Sequence, residues 1–424
     1  MASRRARHPW WIPPFVGAVP DVEPHLFTIM GLVTLALFFE AYDLSMLTAA
    51  LPRIAVGLNM TEAELPTRLA TIRLGALPAF LLIPLTDRLG RRRMFLAAVV
   101  GVSVCTFLTA FAQTPTQWVV TQMCARPFVL TGAAVAIVIL TEEFPAAHRG
   151  WAIGMMGALS STGHGLGALL FAAIDVLPFG WRFLYALGAL PLLLMPKFIR
   201  ELRETRRFTE HQQHHTTAHV TWLGPIIHLV RAYPRRTLGL VLAVIMVSIA
   251  DAASFQFTSY FTSTVHGWTP GQYSTMVLLG GAVGILGNLA AGRLGDRFGR
   301  RVVGGAFMTC FPLFVWIFYG GPGWILPPAW SLFVFCDTAA IVTLRALSTE
   351  LFPTSHRGTA AGLISLVQTL ALAAGLYAAG FGAHEPGAIA RTASWLSLAS
   401  IGAALALFIL PETNRRELES ISER

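Results

Sequence analysis

Twelve long apolar runs, separated by short polar segments, make up most of this 424-residue chain. Each run has about the 20 residues that an α-helix needs to cross ~30 Å of hydrocarbon. Only the two ends and 197–236 carry longer polar stretches, and none of them is long enough for a typical domain. The runs predict membrane-spanning helices at 27–51, 69–86, 94–112, 118–141, 151–176, 181–196, 237–263, 274–293, 303–320, 326–347, 359–382 and 389–410.

Composition and charge agree with a membrane protein. Apolar residues make up 54% of the chain and charged residues 12%, against about 25% charged in soluble proteins. If the N-terminus is cytoplasmic, 23 of the 31 Lys and Arg fall in inner segments, four fall outside and four fall within helices. The positive-inside rule then predicts an inner (plasma) membrane protein with both termini in the cytoplasm. The net charge of +9 needs no nucleic-acid partner.

Several short motifs occur twice at nearly the same offset. DRLGRRR at 87–93 returns as DRFGRR at 296–301, and EFPAAHRG at 143–150 returns as ELFPTSHRG at 350–358. The chain is therefore predicted to be a duplicated unit of six helices. The residue pairs at an offset of 208 include Asp43 with Asp251, Pro145 with Pro353, Arg149 with Arg357, and Glu204 with Glu412.

An even number of spans per unit gives both copies the same orientation, related by an axis along the membrane normal. We predict two pseudo-symmetric six-helix bundles at 25–198 and 237–411, a cytoplasmic linker with an amphipathic helix at 199–236, and cytoplasmic tails at 1–24 and 412–424. The paired motifs resemble those of the major facilitator superfamily over nearly the whole chain. The resemblance implies a twelve-helix transporter that works by alternating access.

The repeated turns suggest a conformational switch. Glycine lets the short turn between helices 2 and 3 form without a Cβ clash, and the arginines hold the inner face. The resemblance implies that these charges clamp the two halves in one conformation and release them in the other. The alternative is that they only fix the topology. The predicted switch residues are Asp87, Arg88, Gly90, Arg91, Arg92, Glu143, Arg149, Asp296, Arg297, Gly299, Arg300, Arg301, Glu350 and Arg357.

Ionisable side chains inside membrane helices cost about 2.5–3.5 kcal/mol each. Glu40 and Asp43 share one face of helix 1 because they are three residues apart. Asp43 and Arg126 each lie eight residues from the outer end of their predicted helices, about 12 Å deep, so they could pair. A desolvated carboxylate favours its protonated form and a nearby guanidinium favours the ionised form. The pair predicts proton coupling; the alternative is a structural ion pair.

A second resemblance concerns helix 1. The stretch E-A-Y-D at 40–43 resembles the helix 1 signature of aromatic-acid:proton symporters, and A-Y-D is similar to that of sugar porters. In sugar porters the helix 1 aspartate works with an arginine on helix 4. That position falls near Gln122 here, so Arg126 departs from the pattern by about one turn. The resemblance implies coupling roles for Asp43, Glu40 and Arg126.

Other polar and aromatic side chains predict a small-molecule cavity, which needs aromatics and a few convergent polar groups. Arg73 would suit a carboxylate-bearing substrate; the alternative is a snorkelling arginine near the interface. His164 also fits a packed polar residue, and each of the others also fits a contact between helices. The predicted substrate-binding residues are Arg73, Tyr42, His164, Asp251, Phe255, Asn288, Asp337 and Gln368.

The predicted function is proton-coupled symport of a small organic solute, an organic or aromatic acid anion. The alternatives are proton-driven efflux of a drug or metabolite and sugar-type proton symport. Efflux is less favoured because helix 5 carries several glycines without the Gly-Pro pair of such antiporters. An enzyme is not predicted, because no nucleophile, base or metal set converges at one face.

The predicted partners are the small-molecule substrate and the lipid bilayer, and the protein is expected to be a monomer. No cofactor or metal is predicted, and the proton is the expected coupling ion. Four cysteines lie within predicted helices and are interpreted as packing residues. His211, His215 and His219 are interpreted as solvated linker residues rather than metal ligands.

Overall fold

The structure, a computed structural model, describes residues 11–12, 19–205, 224–353, 356–382 and 387–412. These residues form helices and connecting turns, with no strand among them. Eleven of their helical segments are long and apolar enough to cross a membrane. The remaining long helix, Arg149–Ala172, has 24 residues, about 36 Å, and is less apolar because it carries glycines, serines and threonine.

Six helices build the first half of the molecule. α1, α3, α4 and α5 are continuous, whereas α2 is interrupted at 75–78 and α6 by two short turns. Helix α1 packs against α5, and α3 packs against α4. The bounds are Pro24–Ala49 for α1, Leu65–Leu74 and Ala79–Leu89 for α2, Arg91–Thr109 for α3, Pro115–Glu143 for α4, Arg149–Ala172 for α5, and Trp181–Leu187, Leu190–Leu193 and Met195–Glu201 for α6.

The second half repeats this arrangement. Helix α10 packs against α8 and α9, and α7 packs against α11 and α12. The predicted all-α fold of two six-helix bundles is confirmed. The bounds are Pro234–Gln256 and Thr258–Thr264 for α7, Pro270–Phe298 for α8, Arg300–Gly320 for α9, Leu326–Glu350 for α10, Arg357–Phe381 for α11, and Ala388–Ser397 and Ala399–Leu407 for α12.

Helix α8 shows why the apolar pattern underestimates some helices. It starts four residues earlier and ends five residues later than the predicted 274–293. Thr269 and Gln272 form a capping box at its start, and Gly299 ends it. Capping groups satisfy the free backbone groups at helix ends, so the helix continues through polar residues beyond the apolar run.

The repeated turns have matching backbone conformations in the two halves. Gly90 and Gly299 have φ angles of 98° and 99°, in a region that is essentially restricted to glycine. Glu204 accepts a hydrogen bond from the backbone N–H of Arg92 (3.1 Å). Glu412 likewise accepts from the backbone N–H of Arg300 (2.9 Å). The repeated carboxylates therefore cap the first turns of α3 and α9. We call the side of the molecule with these turns the basic face.

The two halves meet at the face that lies opposite to these turns, here called the opposite face. Gln256 Nε2 of α7 donates to Thr48 Oγ1 of α1 (3.1 Å). The hydroxyl groups of Thr71 in α2 and Tyr377 in α11 are 3.1 Å apart. These contacts join helices of different halves near the ends that are farthest from the basic face.

The same helices separate toward the basic face. A Cβ built on Gly165 of α5 would lie 3.7 Å from Leu278 of α8, and one on Gly380 of α11 would contact α2. Gly154 and Gly362 lie about three and five turns earlier on the same helix faces. Apart from the nearby backbone of its own helix, a Cβ built on either of them has no atom of the described residues within 4 Å. The halves therefore close at the opposite face and open toward the basic face.

A helix lies in the second part of the predicted linker at 199–236. Gly224–Ala232 is helical, with Leu229 buried and Arg231 exposed. His228 of this helix lies with its Nδ1 3.1 Å from His356 Nε2, at the start of α11. The helix is thus attached to the second half. The predicted linker histidines, His211, His215 and His219, lie outside the described residues.

Candidate functional site

The acidic residues of α1 point into the first half of the molecule. Glu40 and Asp43 are 5% and 1% exposed. Asp43 Oδ1 accepts hydrogen bonds from Thr106 Oγ1 of α3 (3.0 Å) and Gln122 Nε2 of α4 (3.5 Å). The three-residue spacing places both acids on the face of α1 that packs against α3 and α4, where water does not reach them in this conformation.

Arg126 places a positive charge beside the carboxylate of Asp43. Its Nη2 lies 3.6 Å from Asp43 Oδ2 and donates to Gln122 Oε1 (2.7 Å). The predicted proximity of Asp43 and Arg126 is therefore present, and Gln122 contacts both partners. The Nε and Nη1 groups of Arg126 are buried and contact no acceptor in the described residues. Two of its donor groups thus have no hydrogen-bond partner among the described residues.

Arg73 is the second cation of this region. It is close enough to Arg126 for their charges to repel each other. Its Nη2 donates to Gln256 Oε1 of α7 (3.1 Å). The residue therefore reaches across to the other half instead of snorkelling to a membrane surface. In this conformation the guanidinium that we predicted for a substrate carboxylate is held by an amide.

Glu40 and Tyr42 occupy different surroundings. Gly132 of α4 makes room for Glu40, whose Oε1 has no hydrogen-bond partner in the described residues. Tyr42 is 1% exposed and donates its hydroxyl to the Leu184 carbonyl of α6 (2.7 Å). Successive helix residues are turned by about 100°, which directs Tyr42 to α6. The prediction that Tyr42 binds substrate is corrected accordingly: its hydroxyl is satisfied inside the first half.

His164 of α5 lies beside α1. Its Nδ1 is 2.6 Å from the carbonyl oxygen of Ala41, and its side chain is exposed. The imidazole thus connects α5 to the helix that carries Asp43, and one edge of the ring stays accessible. Both predicted roles, a packing contact and a substrate contact, fit this position.

Two acidic residues meet in the second half. Asp251 of α7 and Asp337 of α10 lie close enough for their charges to act on each other, and the charge of Arg345 acts on Asp337. Helices α7 and α10 are the equivalents of α1 and α4. Asp43 of α1 lies beside the cation Arg126, whereas its equivalent Asp251 lies beside the acid Asp337.

The remaining predicted substrate residues do not converge on this acid pair. Phe255 packs in an aromatic cluster, with its ring centroid 4.9 Å from Phe333 and 5.7 Å from Trp330. Asn288 and Gln368 are exposed on α8 and α11. In the described part of the chain, none of the three shares a hydrogen bond with Asp251 or Asp337. Phe255 is half-buried in this cluster, and its predicted contact with substrate stays a prediction.

The comparison with known families agrees with this architecture. The family profile described as Major Facilitator Superfamily matches residues 33–376 and 240–422, and so covers both six-helix bundles. The chain belongs to the Major Facilitator Superfamily. This confirms the family that the paired motifs suggested. As a superfamily member with eleven helical segments long and apolar enough to cross a membrane among its described residues, the protein is a multi-pass membrane protein.

Two curated transporters of the superfamily are similar to the chain. The gallate transporter of Pseudomonas putida is 29% identical over 199 residues, 45% of this chain and 43% of the relative. The chain thus spans less than half of that protein. The gentisate transporter of Corynebacterium glutamicum is 25% identical over 343 residues, 76% of this chain and 74% of the relative.

A solved superfamily structure has the same fold. The inward open conformation of the xylose transporter XylE from E. coli superposes with a TM-score of 0.73. The two sequences are 18% identical, and the match covers 94% of this chain and 99% of XylE. At this identity the likeness concerns the fold alone.

The superfamily's paired turns form matching ion-pair networks within each half. Arg91 Nη2 lies 3.0 Å from Asp87 Oδ1 and 3.1 Å from Glu142 Oε1. Glu142, rather than the predicted Glu143, is therefore the α4 carboxylate that contacts Arg91. The sequence motif misleads here because the second copy has one more residue between its glutamate and proline.

The second network has the same composition. Arg300 Nη2 lies 3.4 Å from Asp296 Oδ1 and 2.8 Å from Glu350 Oε1. Asp296 is exposed, and each of these bonds stays within its own half. The basic face is open in this structure, and the predicted clamp between the halves stays a prediction.

Most of the other predicted switch residues stabilise the turns. Arg149 and Arg357 donate to the backbone carbonyls of Phe144 (3.0 Å) and Phe352 (3.2 Å), which are equivalent positions. Arg92 and Arg301 bind the ends of α6 and α12 through backbone carbonyls. Arg88 and Arg297 are exposed. The twofold repeat of these contacts favours a role in fixing the ends of the helices.

Sequence reasoning missed three residues that connect the site. Thr106 and Gln122 bind Asp43, and Gln256 joins Arg73 to α1. Their side chains are common in membrane helices, so residue type alone does not single them out. One signal was present: Gln256 lies 208 residues after Thr48, the offset of the internal repeat, and the two side chains are in contact.

Replacement of Gln256 by alanine is expected to loosen the opposite face. Gln256 forms hydrogen bonds with Arg73, Thr48 and the Leu47 carbonyl. Each of these bonds contributes about 0.5–1.5 kcal/mol. Without them, the ratio of molecules with the opposite face open to molecules with it closed should rise about tenfold. Spin labels at the exposed Val56 and Val265, in a variant with all four cysteines replaced by serine, would report the distance between halves. A larger fraction of long distances is expected.

Gln272→Ala is the matched control for this measurement. Gln272 is also a glutamine of the opposite face, but its side chain serves the capping box of α8. Its removal is expected to leave the distance distribution unchanged. Equal effects of the two substitutions, or no effect of Gln256→Ala, would show that Gln256 does not hold the halves together.

Proposed function

We propose that the protein is a proton-coupled symporter that carries a small organic acid anion, of the aromatic type, by alternating access. The observation that carries the proposal is the contact of Asp43 with Arg126 in the interior of the first half. A carboxylate and a guanidinium that are both buried require each other. A rearrangement that separates them leaves Asp43 an acid that must take up a proton.

The coupling follows from two states of this pair. With the basic face open, Asp43 lies beside Arg126 and accepts hydrogen bonds from Thr106 and Gln122. With the opposite face open, we propose that α1 shifts against α4 and that a proton on Asp43 replaces the contact with Arg126. Each cycle then carries one proton in the direction of the substrate.

Cations next to this pair support an anionic substrate. Arg126 has two donor groups without an acceptor in the described residues, and Arg73 is nearby. Guanidinium groups bind carboxylates through paired hydrogen bonds. A substrate carboxylate would take the place of Gln256 on Arg73. Two similar transporters are named for gallate and gentisate, both of which are aromatic carboxylates, and this supports the substrate class.

Asp251 and Asp337 are proposed to bind the substrate from the second half of the molecule. Their carboxyl oxygens can accept hydrogen bonds from the hydroxyl groups of a ligand. His164 is proposed to face the same space from α5, where its ring edge is exposed. Asn288 and Gln368, exposed on α8 and α11, remain proposed contacts of the same kind.

The orientation in the membrane follows from the distribution of cations. Most Lys and Arg of the described residues lie at the basic face, so we propose from the positive-inside rule that this face lies in the cytoplasm of a cell with an inner (plasma) membrane. The open cavity then faces the cytoplasm. For an importer, this is the conformation from which substrate leaves to the cytoplasm.

Purified protein in proteoliposomes tests the proposal. With an inward proton gradient, addition of gentisate, gallate or benzoate outside is expected to cause accumulation together with proton entry. Xylose, myo-inositol and a cationic drug serve as non-acid comparisons, and a protonophore serves as the control for coupling. Proton exit on substrate addition would indicate efflux by exchange, and accumulation of xylose or myo-inositol would indicate a sugar-type symporter.

A further inference from the structure

A groove runs along the outside of the first half, away from the candidate transport site. It has a cavity volume of about 450 Å³. Helix α1 forms its floor, and α5, α6 and Trp11 contribute to its walls. From Phe27 to Phe38 the floor extends over eleven residues of α1, about 16 Å. The other residues that line it include Gly31, Leu35, Leu159 and Lys197.

This groove and the coupling site use different faces of α1. Phe38 precedes Asp43 by five residues, which places it about 140° around the helix. Asp43 contacts α3 and α4, whereas Phe38 lines the groove together with Leu159 of α5. A ligand of the groove would therefore not touch Asp43 or Arg126.

Trp11 covers one part of the groove. A Cβ built on Gly31 would lie 3.2 Å from Trp11 Cζ2, so the indole packs against the helix at Gly31 and a side chain there would crowd it. The next residue, Ile12, is 1% exposed. Tryptophan prefers the boundary between hydrocarbon and headgroups, which places this part of the groove near the membrane surface of the basic face.

The groove ends at a positive charge. Lys197 is the single lysine of the chain, and Arg200 follows it three residues later on the same side of α6. Both side chains are exposed. Neither forms a salt bridge with a residue of the described ranges. The floor of the groove also contains Thr34, which is 6% exposed. Its hydroxyl has no hydrogen-bond partner among the described residues.

We propose that this groove is a binding site for one anionic glycerophospholipid, with an acyl chain along α1 and the headgroup phosphate at Lys197 and Arg200. The lining is apolar over the part of α1 that lies in the hydrocarbon, and each buried CH₂ of an acyl chain adds to the binding energy. Basic pockets between membrane helices at the cytoplasmic side are suited to anionic headgroups. The site is independent of the proposed symport.

Quenching of tryptophan fluorescence by lipids with brominated acyl chains tests the proposal. The full chain would be titrated in mixed micelles with brominated phosphatidylglycerol or brominated phosphatidylcholine. The contribution of Trp11 is the difference between the wild type and Trp11→Phe. Two cations near the headgroup are expected to make half-quenching by the anionic lipid occur at about thirtyfold lower mole fraction. Native mass spectrometry should retain one phosphatidylglycerol.

The double variant Lys197→Gln/Arg200→Gln is expected to remove the preference for the anionic lipid. Arg231→Gln/Arg235→Gln is the matched control, because it removes two exposed cations of the basic face in the other half and should keep the preference. Equal quenching by both lipids in the wild type would show that the groove contacts bilayer lipids without preference for an anionic headgroup. This result would overturn the proposal. Absence of Trp11 quenching would overturn it as well, because protein would then cover the groove.

Discussion

Asp43→Asn is expected to abolish proton-driven accumulation of substrate while exchange of substrate across the membrane persists. Asparagine has the shape of aspartate and still offers an oxygen to Thr106, but it cannot bind and release a proton. With a pH gradient of one unit, symport of one proton per substrate supports about tenfold accumulation. For the variant, the ratio of internal to external substrate should fall to about one. Radiolabelled uptake in proteoliposomes measures both quantities.

Asp175→Asn is the control for the loss of an acid. Asp175 lies outside the membrane helices, where it is exposed and paired with Arg53 at 2.5 Å, and surface pairs contribute little. This variant should accumulate substrate like the wild type. Concentrative uptake by Asp43→Asn would exclude Asp43 as the coupling acid. Loss of exchange as well as accumulation would point to a structural role for Asp43.

Arg126→Gln is expected to destabilise the protein strongly, because it leaves the charge of Asp43 buried without a cation. Asp43 and Arg126 have side chains that are 1% and 4% exposed, and removal of one partner of such a pair costs about 3 kcal/mol or more. The thermal transition in detergent should shift to clearly lower temperature. Transport should be lost as well, since the paired state of Asp43 can no longer form.

The double variant Asp43→Asn/Arg126→Gln separates the two effects. Two neutral amides of similar volume can bond each other and Gln122, so most of the stability should return. Accumulation should stay absent, because the protonatable group is missing. A double variant as unstable as Arg126→Gln alone would mean that Arg126 stabilises the bundle through packing or other contacts, and not through its charge on Asp43.

Much of the fold could be predicted because the bilayer restricts the options. Spanning segments must be long and apolar, and the offset of 208 residues between repeated motifs shows the duplication directly. The turns were predictable for a local reason: Gly90 and Gly299 adopt φ angles that other residues avoid. The interruption of α2 at 75–78 was missed, since apolar residues continue through it.

The candidate site was predictable only in part. Depth along the helices brought Asp43 and Arg126 to the same level, and the structure places them 3.6 Å apart. Depth alone does not tell which way a side chain points around a helix. Tyr42 therefore turned out to face α6, and Phe255 turned out to pack in an aromatic cluster. Both depend on the rotation of a helix against its neighbours.

The sequence by itself determined the class of protein, the two six-helix bundles and the presence of buried charges, because hydropathy, repeat spacing and the energy of desolvation depend on local residue type. Only the tertiary structure decided which groups meet. Arg73 and Gln256 are 183 residues apart and belong to different halves. Such contacts result from the packing of whole helices, which no short stretch of sequence contains.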